Sequence, residues 1–502
     1  MTHEPIFYDT TLRDGNQALK RPWNHAEKET IFRQLLGLGI KVIEVGFPAS
    51  GEMDFHTCSS LAEQAPEDVT ISVLARATKG DIAQAARAVR NAYKPRIHTF
   101  IAMNPLGLEH VLQKDIETVT DIAVDAVRYA KSLLPSNGEV EFSVEHFGDC
   151  RENLSAVLDA IEKVVDAGAD VINLPNTVER FRPMDFIRMV EQVHARIGDK
   201  AQISVHCHND LGMATATTVE SFFAGATQLE TTLNGIGERC GNTNMYEVAV
   251  ALYNSDVPIS LNMGKFYETA QLVSQMANIP IWEKAPLMGS DSLAHRSGIH
   301  QNGANKTKGL KKGQYIAFDP ALIGRQDGEH IGFTGQSGKS ALFDVFQANG
   351  YPFTLEEAVQ HLPAAKKLAD EKGELTPSDL DKFYRTEICH VTGPFELDSF
   401  ERISQGKYAL AFYRDGHFCE AIGRGSGPVE SCVTALASLG VAISVVKYEQ
   451  HMLNAKEQES AEAVTMMNIR QDDKEVIVRA INRSTTRSNI HAIFNGLNLL
   501  QK

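Results

Sequence analysis

Short apolar runs alternate with longer segments of helical periodicity over the first 255 residues of the chain. Eight runs have the β-branched content or two-residue alternation typical of strands, at residues 6–9, 42–46, 70–75, 97–102, 140–145, 171–174, 203–208 and 228–233. Amphipathic helical spacing marks residues 26–38, 82–91, 116–132, 153–167, 184–197 and 214–224. Eight alternating βα units predict a closed (β/α)8 TIM barrel.

A doubly wound open sheet is the main alternative to the barrel, since it also alternates strands and helices. That fold usually has fewer strands and carries a glycine-rich loop after the first one. Here residues 10–17 read Thr-Thr-Leu-Arg-Asp-Gly-Asn-Gln, which is not that loop.

The rest of the chain lacks this regular alternation of strand and helix patterns. One regular helix at 264–277 precedes an irregular stretch that ends in a Gly-, Asn- and Lys-rich patch at 302–312, and helical patterns follow at 341–349, 355–361 and 364–372. After residue 386, strands are predicted at 408–413, 441–448, 463–469 and 475–481, with helices at 429–439 and 488–500. We therefore predict a barrel over 1–260, a linker arm with helical subdomains over 261–385, and an α+β domain over 386–502.

Composition narrows the class of protein. A formal net charge of −15 argues against nucleic acid or an anionic membrane as a partner. No apolar run reaches the length of a bilayer span, and the first residues lack the features of a signal peptide. The seven cysteines are odd in number and scattered, which is typical of reduced thiols. We expect a cytoplasmic protein.

The seventh predicted strand ends in a His-x-His pair, His206 and His208. Residues two apart on a strand point to the same side, so both imidazoles can bind one divalent metal ion. The alternative is that they are two polar residues at a strand end, with no metal.

Polar residues also follow most other predicted strands. They include Asp9–Gln17 after the first strand, His98 in the fourth, Glu145 at the end of the fifth, Thr177 after the sixth and Asn234–Asn242 after the eighth. Because the reactive groups of such barrels lie at the carboxyl ends of the strands, this set predicts a polar active site around a metal.

Four motifs, at residues 9–17, 206–212, 234–242 and 297–303 (Ser-Gly-Ile-His-Gln-Asn-Gly), together resemble the 2-isopropylmalate synthases, a group related to the homocitrate and citramalate synthases. The resemblance implies a metal-dependent TIM barrel with a C-terminal regulatory domain, acting as a homodimer. It implies a condensation of acetyl-CoA with 2-oxoisovalerate and water to 2-isopropylmalate and CoA, the first committed step of leucine biosynthesis.

The resemblance also assigns roles to single residues. The metal ligands of the family match Asp14, His206, His208 and Asn242, a set suited to Mn²⁺, Mg²⁺ or Zn²⁺. Arg13 matches the arginine beside the oxygen that becomes negative, and Thr177 and His98 match substrate-pocket residues. Glu145 and His300 match residues that handle the acetyl-CoA proton.

Departures from the family pattern keep other functions open. Asn16, Asn176, Glu179 and Met103-Asn104 replace commoner residues near the oxo-acid pocket, so homocitrate or citramalate synthase activity is the first alternative. A 3-hydroxy-3-methylglutaryl-CoA-type lyase and a non-catalytic effector-binding paralogue are further ones. In the C-terminal domain, Val478-Arg479-Ala480 and Ser484 stand where the family has Gly-Val-Gly and Asp, in the region that binds the feedback amino acid, leucine.

Overall fold

The fold is described from a computed structural model, which covers residues 4–307, 313–326, 330–453 and 461–502, without the side chains of residues 305, 330 and 331. The chain forms two compact units, Met1–Ser292 with Ala317–Gly328, and Leu293–Ile316 with Glu329–Lys502. The three-part division at residues 260 and 385 stays a prediction.

The first unit is a closed barrel of eight parallel strands, each hydrogen-bonded to the next, with the first strand pairing with the eighth. The strands are β1 (Ile6–Asp9), β2 (Val42–Glu44), β3 (Thr70–Arg76), β4 (Lys94–Ala102), β5 (Glu139–Glu145), β6 (Val171–Asn176), β7 (Gln202–Cys207) and β8 (Gln228–Thr231). All eight predicted strands are confirmed, and the open sheet is excluded because the barrel closes.

Helices cover the outside of the barrel. They are α1 (His25–Leu38), α2 (Glu52–Gln64), α3 (Lys79–Ala88), α4 (Ile116–Leu133), α5 (Leu154–Asp166), α6 (Pro183–Ile197), α7 (Ala214–Phe223), α8 (Met245–Asn254) and α9 (Phe266–Ala277). In the first seven βα repeats, the predicted ends of the strands and helices lie within three residues of the observed ends. The largest differences are at β4, which was predicted to begin at residue 97, and at α3, which was predicted over 82–91.

Two barrel helices escaped the periodicity analysis. Helix α2 starts with the acidic residues Glu52 and Asp54 and buries a small stripe around Cys58 and Leu61. Helix α8 is buried on most of its surface, so its sequence has no polar face to reveal the helical period.

The second unit combines helices with two small antiparallel sheets. After a two-stranded parallel pair, β9 (Ala294–His295) and β10 (His330–Ile331), the sheets are β11 (Phe395–Ser404), β12 (Lys407–Arg414), β13 (His417–Arg424) and β14 (Ser444–Leu453), β15 (Glu462–Gln471), β16 (Lys474–Asn482). The helices are α10 (Gly298–Thr307), α11 (Lys339–Ala348), α12 (Leu355–Lys372), α13 (Pro377–Phe383), α14 (Pro428–Ser438) and α15 (Thr485–Leu500). The predicted α+β character is confirmed.

Several local predictions in this unit were wrong. The helices predicted at 355–361 and 364–372 form one helix, α12, which continues through Pro363. Strands β11 and β13 were not predicted, because their faces are largely exposed and lack a regular apolar alternation. The patch at 302–312 was expected to be irregular, but its first part belongs to α10, while 308–312 lie outside the described residues. Among the described helices, none is long and apolar enough to cross a bilayer.

A buried ion pair joins β16 to α12 within the second unit. Arg479 is 1% exposed, its guanidinium contacts the Glu357 carboxylate, and burial lowers the pKa of Arg479 to about 10. The other Glu357 oxygen accepts hydrogen bonds from the backbone N–H and the hydroxyl of Thr354, which closes the capping box of α12. Glu357 therefore has two tasks, one as a helix cap and one as a counter-charge.

Glu357→Gln separates these tasks, because glutamine also closes a capping box but carries no charge. Since the variant leaves a buried guanidinium unpaired, we expect a loss of about 3 kcal/mol in unfolding free energy. Urea unfolding followed by circular dichroism measures it, with the exposed neighbour Glu356→Gln as control, expected within about 0.5 kcal/mol of the parent. Equal stability of both variants would show that the pair contributes nothing.

Candidate metal centre

The two histidines of the His-x-His pair lie at the carboxyl end of the barrel. His206 is in β7 and His208 follows its end, and both side chains are buried. Their rings meet edge to face with centroids 5.0 Å apart, and their Nε2 atoms are 3.2 Å apart. The strand geometry thus brings both nitrogens to one point, as their spacing predicted.

Asp14 completes a three-atom cluster with these nitrogens. Its Oδ2 atom lies 3.2 Å from His206 Nε2 and 3.8 Å from His208 Nε2. Ligands bound to one cation at about 2.1 Å lie roughly 3.0–3.4 Å from one another. Two of the three separations fall in that range and the third exceeds it by a few tenths of an ångström, so the cluster can hold one divalent ion.

Asn242 lies beside the same histidines, in the loop after β8. Its backbone forms a bridge with His208, and its Oδ1 is a buried acceptor without a hydrogen-bond partner among the described residues. A Cβ atom on Gly237 would lie 2.4 Å from the Asn242 amide nitrogen, so this glycine lets the loop fold tightly around the amide. A buried oxygen without a partner is suited to a cation.

The charges around the cluster are strongly coupled. Burial opposes ionisation of Asp14, but Arg13 and His206 outweigh it and hold the pKa of Asp14 well below its usual range. Burial likewise opposes a charged His206, yet hydrogen bonds to Asp14 and Glu230 raise the pKa of His206 to about 9. Burial and the charge of His206 lower the pKa of His208 to about 3.

Arg13 lies on a single helical turn, Thr11–Gly15, directly after β1. Its Nε donates to Glu44 Oε2 at 2.6 Å, and Nη1 lies 3.4 Å from Asp14 Oδ2. Burial disfavours the charged guanidinium, but Glu44 and Asp14 outweigh it and raise the pKa of Arg13. The side chain is therefore a fixed cation next to the metal cluster.

His98 is held in the barrel interior from both sides. Its Nδ1 lies 2.8 Å from Glu44 Oε1, and its Nε2 lies 2.6 Å from the Ser143 hydroxyl. Burial opposes its charged form, but Glu44 outweighs burial and raises the pKa of His98. The residue is thus satisfied within the core, and it also faces the cavity described next.

A cavity of about 330 Å³ opens above the cluster. Seven of the nine sequence-predicted site residues line it: Arg13, Asp14, His98, Glu145, Thr177, His206 and His208. Thr177 Oγ1 accepts a hydrogen bond from the backbone N–H of His146, and burial raises the pKa of Glu145. The cavity also has apolar surface from Phe47, Leu74, Phe100 and Pro175.

His300 lies in the second unit. It is exposed on α10, a helix where the sequence predicted a loop, and its ring stacks on Tyr315 with centroids 4.4 Å apart.

Two buried carboxylates escaped the sequence analysis. Glu44, at the end of β2, accepts hydrogen bonds from Thr10 and Arg13, and Glu230 in β8 contacts His206. The signal for Glu44 was its position at the carboxyl end of a predicted strand. Glu230 lies inside a strand, between Leu229 and Thr231, and an acidic residue within a predicted strand was the only sign.

Cys240 is exposed in the loop that carries Asn242. Five of the other cysteines are buried and Cys419 is half-buried, and none of the seven, all within the described residues, forms a disulfide.

Comparison with known proteins agrees with this geometry. The HMGL-like family profile matches residues 4–273, and the profile of the LeuA allosteric (dimerisation) domain matches residues 374–501. A protein named 2-isopropylmalate synthase 2 from Leptospira interrogans is 53% identical over 380 residues, which cover 75% of this chain and 89% of that protein. The 2-isopropylmalate synthase of Carboxydothermus hydrogenoformans is 34% identical over 506 residues, covering 98% of this chain and 97% of the relative.

Among solved structures, the hydroxymethylglutaryl-CoA lyase of Pseudomonas aeruginosa matches with a TM-score of 0.48 and 18% identity, covering 56% of this chain and 95% of that one. The sequence relatives carry the assignment by themselves, because they match 75% and 98% of the chain. The chain belongs to the HMGL-like family and, within it, to the 2-isopropylmalate synthases.

Proposed function

We propose that the protein condenses acetyl-CoA with 2-oxoisovalerate and water to give 2-isopropylmalate and CoA, the first committed step of leucine biosynthesis. The observation that carries the proposal is the convergence of Asp14, His206 and His208 at the floor of a cavity with an apolar wall. The relatives of this chain have the same activity in their names. The proposed location is the cytoplasm.

The proposed metal ligands are Asp14 Oδ2, the Nε2 atoms of His206 and His208, and Asn242 Oδ1. The fit rests on the distances within the cluster and on the unpartnered oxygen of Asn242. A divalent ion of the Mn²⁺, Mg²⁺ or Zn²⁺ type, when bound there, polarises the carbonyl of the 2-oxo acid as a Lewis acid.

Arg13 is proposed to stabilise the oxygen of the 2-oxo acid as it becomes negative. The new bond joins the acetyl methyl carbon to the carbonyl carbon, and the carbonyl electron pair moves to that oxygen. A cation already fixed by Glu44 and Asp14 needs no reorganisation to meet this charge, so it acts mainly on the transition state.

Glu145 is proposed to take part in removing the proton from the acetyl methyl group, together with His300. Glu145 lines the cavity, and its raised pKa makes it a stronger base than an exposed carboxylate. His300 is assigned by the motif around it. Water then hydrolyses the thioester of the condensed product and releases CoA.

Thr177 and His98 are proposed to bind the substrate, Thr177 through the carboxylate of the 2-oxo acid. Both face the cavity, and the Thr177 hydroxyl keeps its proton free to donate, since it only accepts from the His146 N–H. An oxygen lone pair of the substrate carboxylate is a suitable acceptor for that proton.

The apolar wall supports 2-oxoisovalerate over its rivals. Phe47, Leu74 and Phe100 are half-buried in the protein and turn apolar surface to the cavity, which suits an isopropyl group. The second carboxylate of 2-oxoglutarate needs a cation, but Arg239 is already held by Asp210 and by the carbonyl of Thr177. The methyl of pyruvate leaves part of the wall uncovered.

A panel of 2-oxo acids tests this function. We expect acetyl-CoA-dependent thiol release to be fastest with 2-oxoisovalerate, and at least about tenfold slower with pyruvate, because pyruvate lacks two methyl groups and each missing group costs roughly 1–3 kcal/mol. Faster release with pyruvate or 2-oxoglutarate would favour a citramalate or homocitrate synthase. No release with any acid would leave only the lyase and the paralogue.

The same assay with leucine tests regulation. We propose a homodimer, supported by the match to the dimerisation domain, and leucine as its amino-acid effector. Inhibition is expected to be weak, because Val478, Arg479 and Ala480 stand where the family pattern has Gly-Val-Gly, and Arg479 is buried against Glu357. The proposed homodimer is tested separately, by sedimentation of the protein in solution.

The pH dependence of the reaction tests the role of Glu145. Burial raises its pKa above the ordinary 4.5, and a base acts only when ionised, so activity is lost as the pH falls through this raised value. In the parent protein, we expect the midpoint of the acidic limb of kcat/KM for acetyl-CoA to lie above pH 4.5. In Glu145→Asp we expect this midpoint at lower pH, since aspartate is the stronger acid. An unchanged limb in this variant, as in the exposed control Glu152→Asp, would remove Glu145 from the proton transfer.

A further inference from the structure

The metal cluster has a second layer of polar residues beneath it, inside the barrel. In the register of β7 and β8, Glu230 is the direct neighbour of His206, and both side chains point into the barrel. Glu230 Oε2 lies 2.9 Å from His206 Nδ1, the ring nitrogen opposite to the one that faces Asp14. Glu230 is 1% exposed and therefore has few possible positions.

An imidazole that binds a metal through Nε2 as a neutral ligand carries its proton on Nδ1. An acceptor at Nδ1 selects this tautomer and fixes the plane of the ring. We infer that Glu230 is a positioning residue that holds His206 in the tautomer and orientation required for a divalent cation at Nε2. This inference rests on the metal site of the proposed function and adds a residue to which no role is assigned.

The other histidine of the pair lacks such support. His208 Nδ1 is buried and has no hydrogen-bond partner among the described residues. The two histidines are therefore unequal, and the orientation of the pair depends on His206. Loss of the Glu230 contact removes the only side-chain acceptor that either Nδ1 has among the described residues.

Glu230 is itself held from below. Its Oε1 accepts a hydrogen bond from the Ser204 hydroxyl at 3.3 Å, and that hydroxyl accepts one from Gln228 Nε2 at 2.9 Å. Gln228 also donates to Glu141 and accepts from Arg96. The chain of contacts fixes the carboxylate through groups on four strands, the neighbours β4 and β5 and the neighbours β7 and β8.

A second metal site is the rival explanation, because ligand atoms of His98, Glu141 and Glu230 also lie within 4.8 Å of one another. Their contacts argue against it. Both nitrogens of His98 are engaged by Glu44 and Ser143. Glu141 is bound by Arg96 and Gln228. These donors and acceptors already satisfy one another without an ion.

Glu141 offers a matched control for Glu230. It is equally buried in the same layer, but it contacts Arg96 and Gln228 rather than a proposed ligand. Burial raises the pKa of Glu141 above its ordinary value, which favours the protonated carboxyl that glutamine resembles in shape and charge. Its carboxyl also shares a hydrogen bond with Glu230, which the amide of glutamine can keep, so Glu141→Gln leaves the contact between Glu230 and His206 in place.

The test measures binding of Mn²⁺ and Zn²⁺ to the full-length protein after dialysis against a chelator, by titration with a competing metal indicator. Loss of an acceptor next to a metal ligand typically weakens binding 10–100-fold. We expect Kd to rise about tenfold in Glu230→Gln, where an uncharged acceptor remains, and up to about 100-fold in Glu230→Ala. Glu141→Gln is expected to stay within about twofold of the parent.

Rescue of activity by added metal distinguishes a positioning role of Glu230 from structural damage to the barrel. In Glu230→Gln, saturating Mn²⁺ is expected to restore kcat, whereas a damaged barrel would keep kcat low at any metal concentration. The inference is overturned if both Glu230 variants bind metal like the parent, or if Glu141→Gln weakens binding equally. Because Kd is measured without substrate, this outcome is independent of whether any 2-oxo acid releases CoA. If Glu230→Ala does not fold, the comparison of Glu230→Gln with Glu141→Gln decides.

Discussion

Replacing His208 by alanine is expected to lower kcat/KM about a thousandfold and to weaken the binding of a divalent cation. His208 Nε2 lies 3.2 Å from His206 Nε2, and no other nitrogen base reaches this cluster among the described residues. A Lewis acid contributes several kcal/mol to the stabilisation of the transition state, and each 1.36 kcal/mol corresponds to a factor of ten in rate. A loss of about 4 kcal/mol gives the expected thousandfold effect.

Activity and metal content are measured on the same preparation, so that loss of the ion is separated from loss of substrate binding. Dialysis of the parent protein against a chelator should reproduce the defect, and adding back Mn²⁺, Mg²⁺ or Zn²⁺ should reverse it only in the parent. His56, an exposed histidine on α2, provides the control substitution to alanine. Full activity in the chelated parent protein would eliminate the metal from the proposed function.

Replacing Arg13 by lysine is expected to lower kcat about 10²–10³-fold, the usual cost of removing one preorganised group at a developing oxyanion. The guanidinium reaches two carboxylates at once, Glu44 through Nε and Asp14 through Nη1. An ammonium group is a single point charge without this planar geometry, so it cannot keep both contacts and face the substrate. The charge is conserved in this variant, but its position is not.

The split between kinetic constants identifies the role of Arg13. A transition-state role predicts a large fall in kcat with a small change in KM for the 2-oxo acid, whereas a role in binding predicts the reverse. The control is Arg21→Lys, an exposed arginine that pairs with Glu27 and is expected to have parental kinetics. A normal kcat in Arg13→Lys would return Arg13 to a structural role as the partner of Glu44.

The barrel could be predicted from the sequence because strand and helix patterns alternate eight times, and this alternation can be recognised even where the predicted ends of single elements are shifted. The two proposed metal ligands at the end of β7, His206 and His208, followed from the two-residue period of one strand. Glu230 did not, because its role depends on β8 lying next to β7 in register, which is a property of the closed barrel. Local periodicity contains no information on which side chains face each other across neighbouring strands.

Errors outside the barrel have a different cause. Two helices were predicted, at 355–361 and 364–372, yet α12 runs through Pro363 between them, since the packing of the whole helix outweighs one lost hydrogen bond. The motif around His300 predicted a role, but the loop expected there was wrong, because the segment is helical. For Arg479, the sequence shows only that an arginine stands where the family pattern has another residue, and the structure adds the acidic partner, Glu357, that makes its burial tolerable.

The exposure of Cys240 makes the proposed active site accessible to labelling, with the half-buried Cys419 as the competing thiol. Burial raises the pKa of the thiols of Cys58, Cys150, Cys207, Cys389 and Cys432, so these react slowly with alkylating reagents. Cys240 lies two residues before Asn242 and is open to solvent. A fluorophore attached there reports on the entrance of the barrel in the natural sequence, without an engineered cysteine.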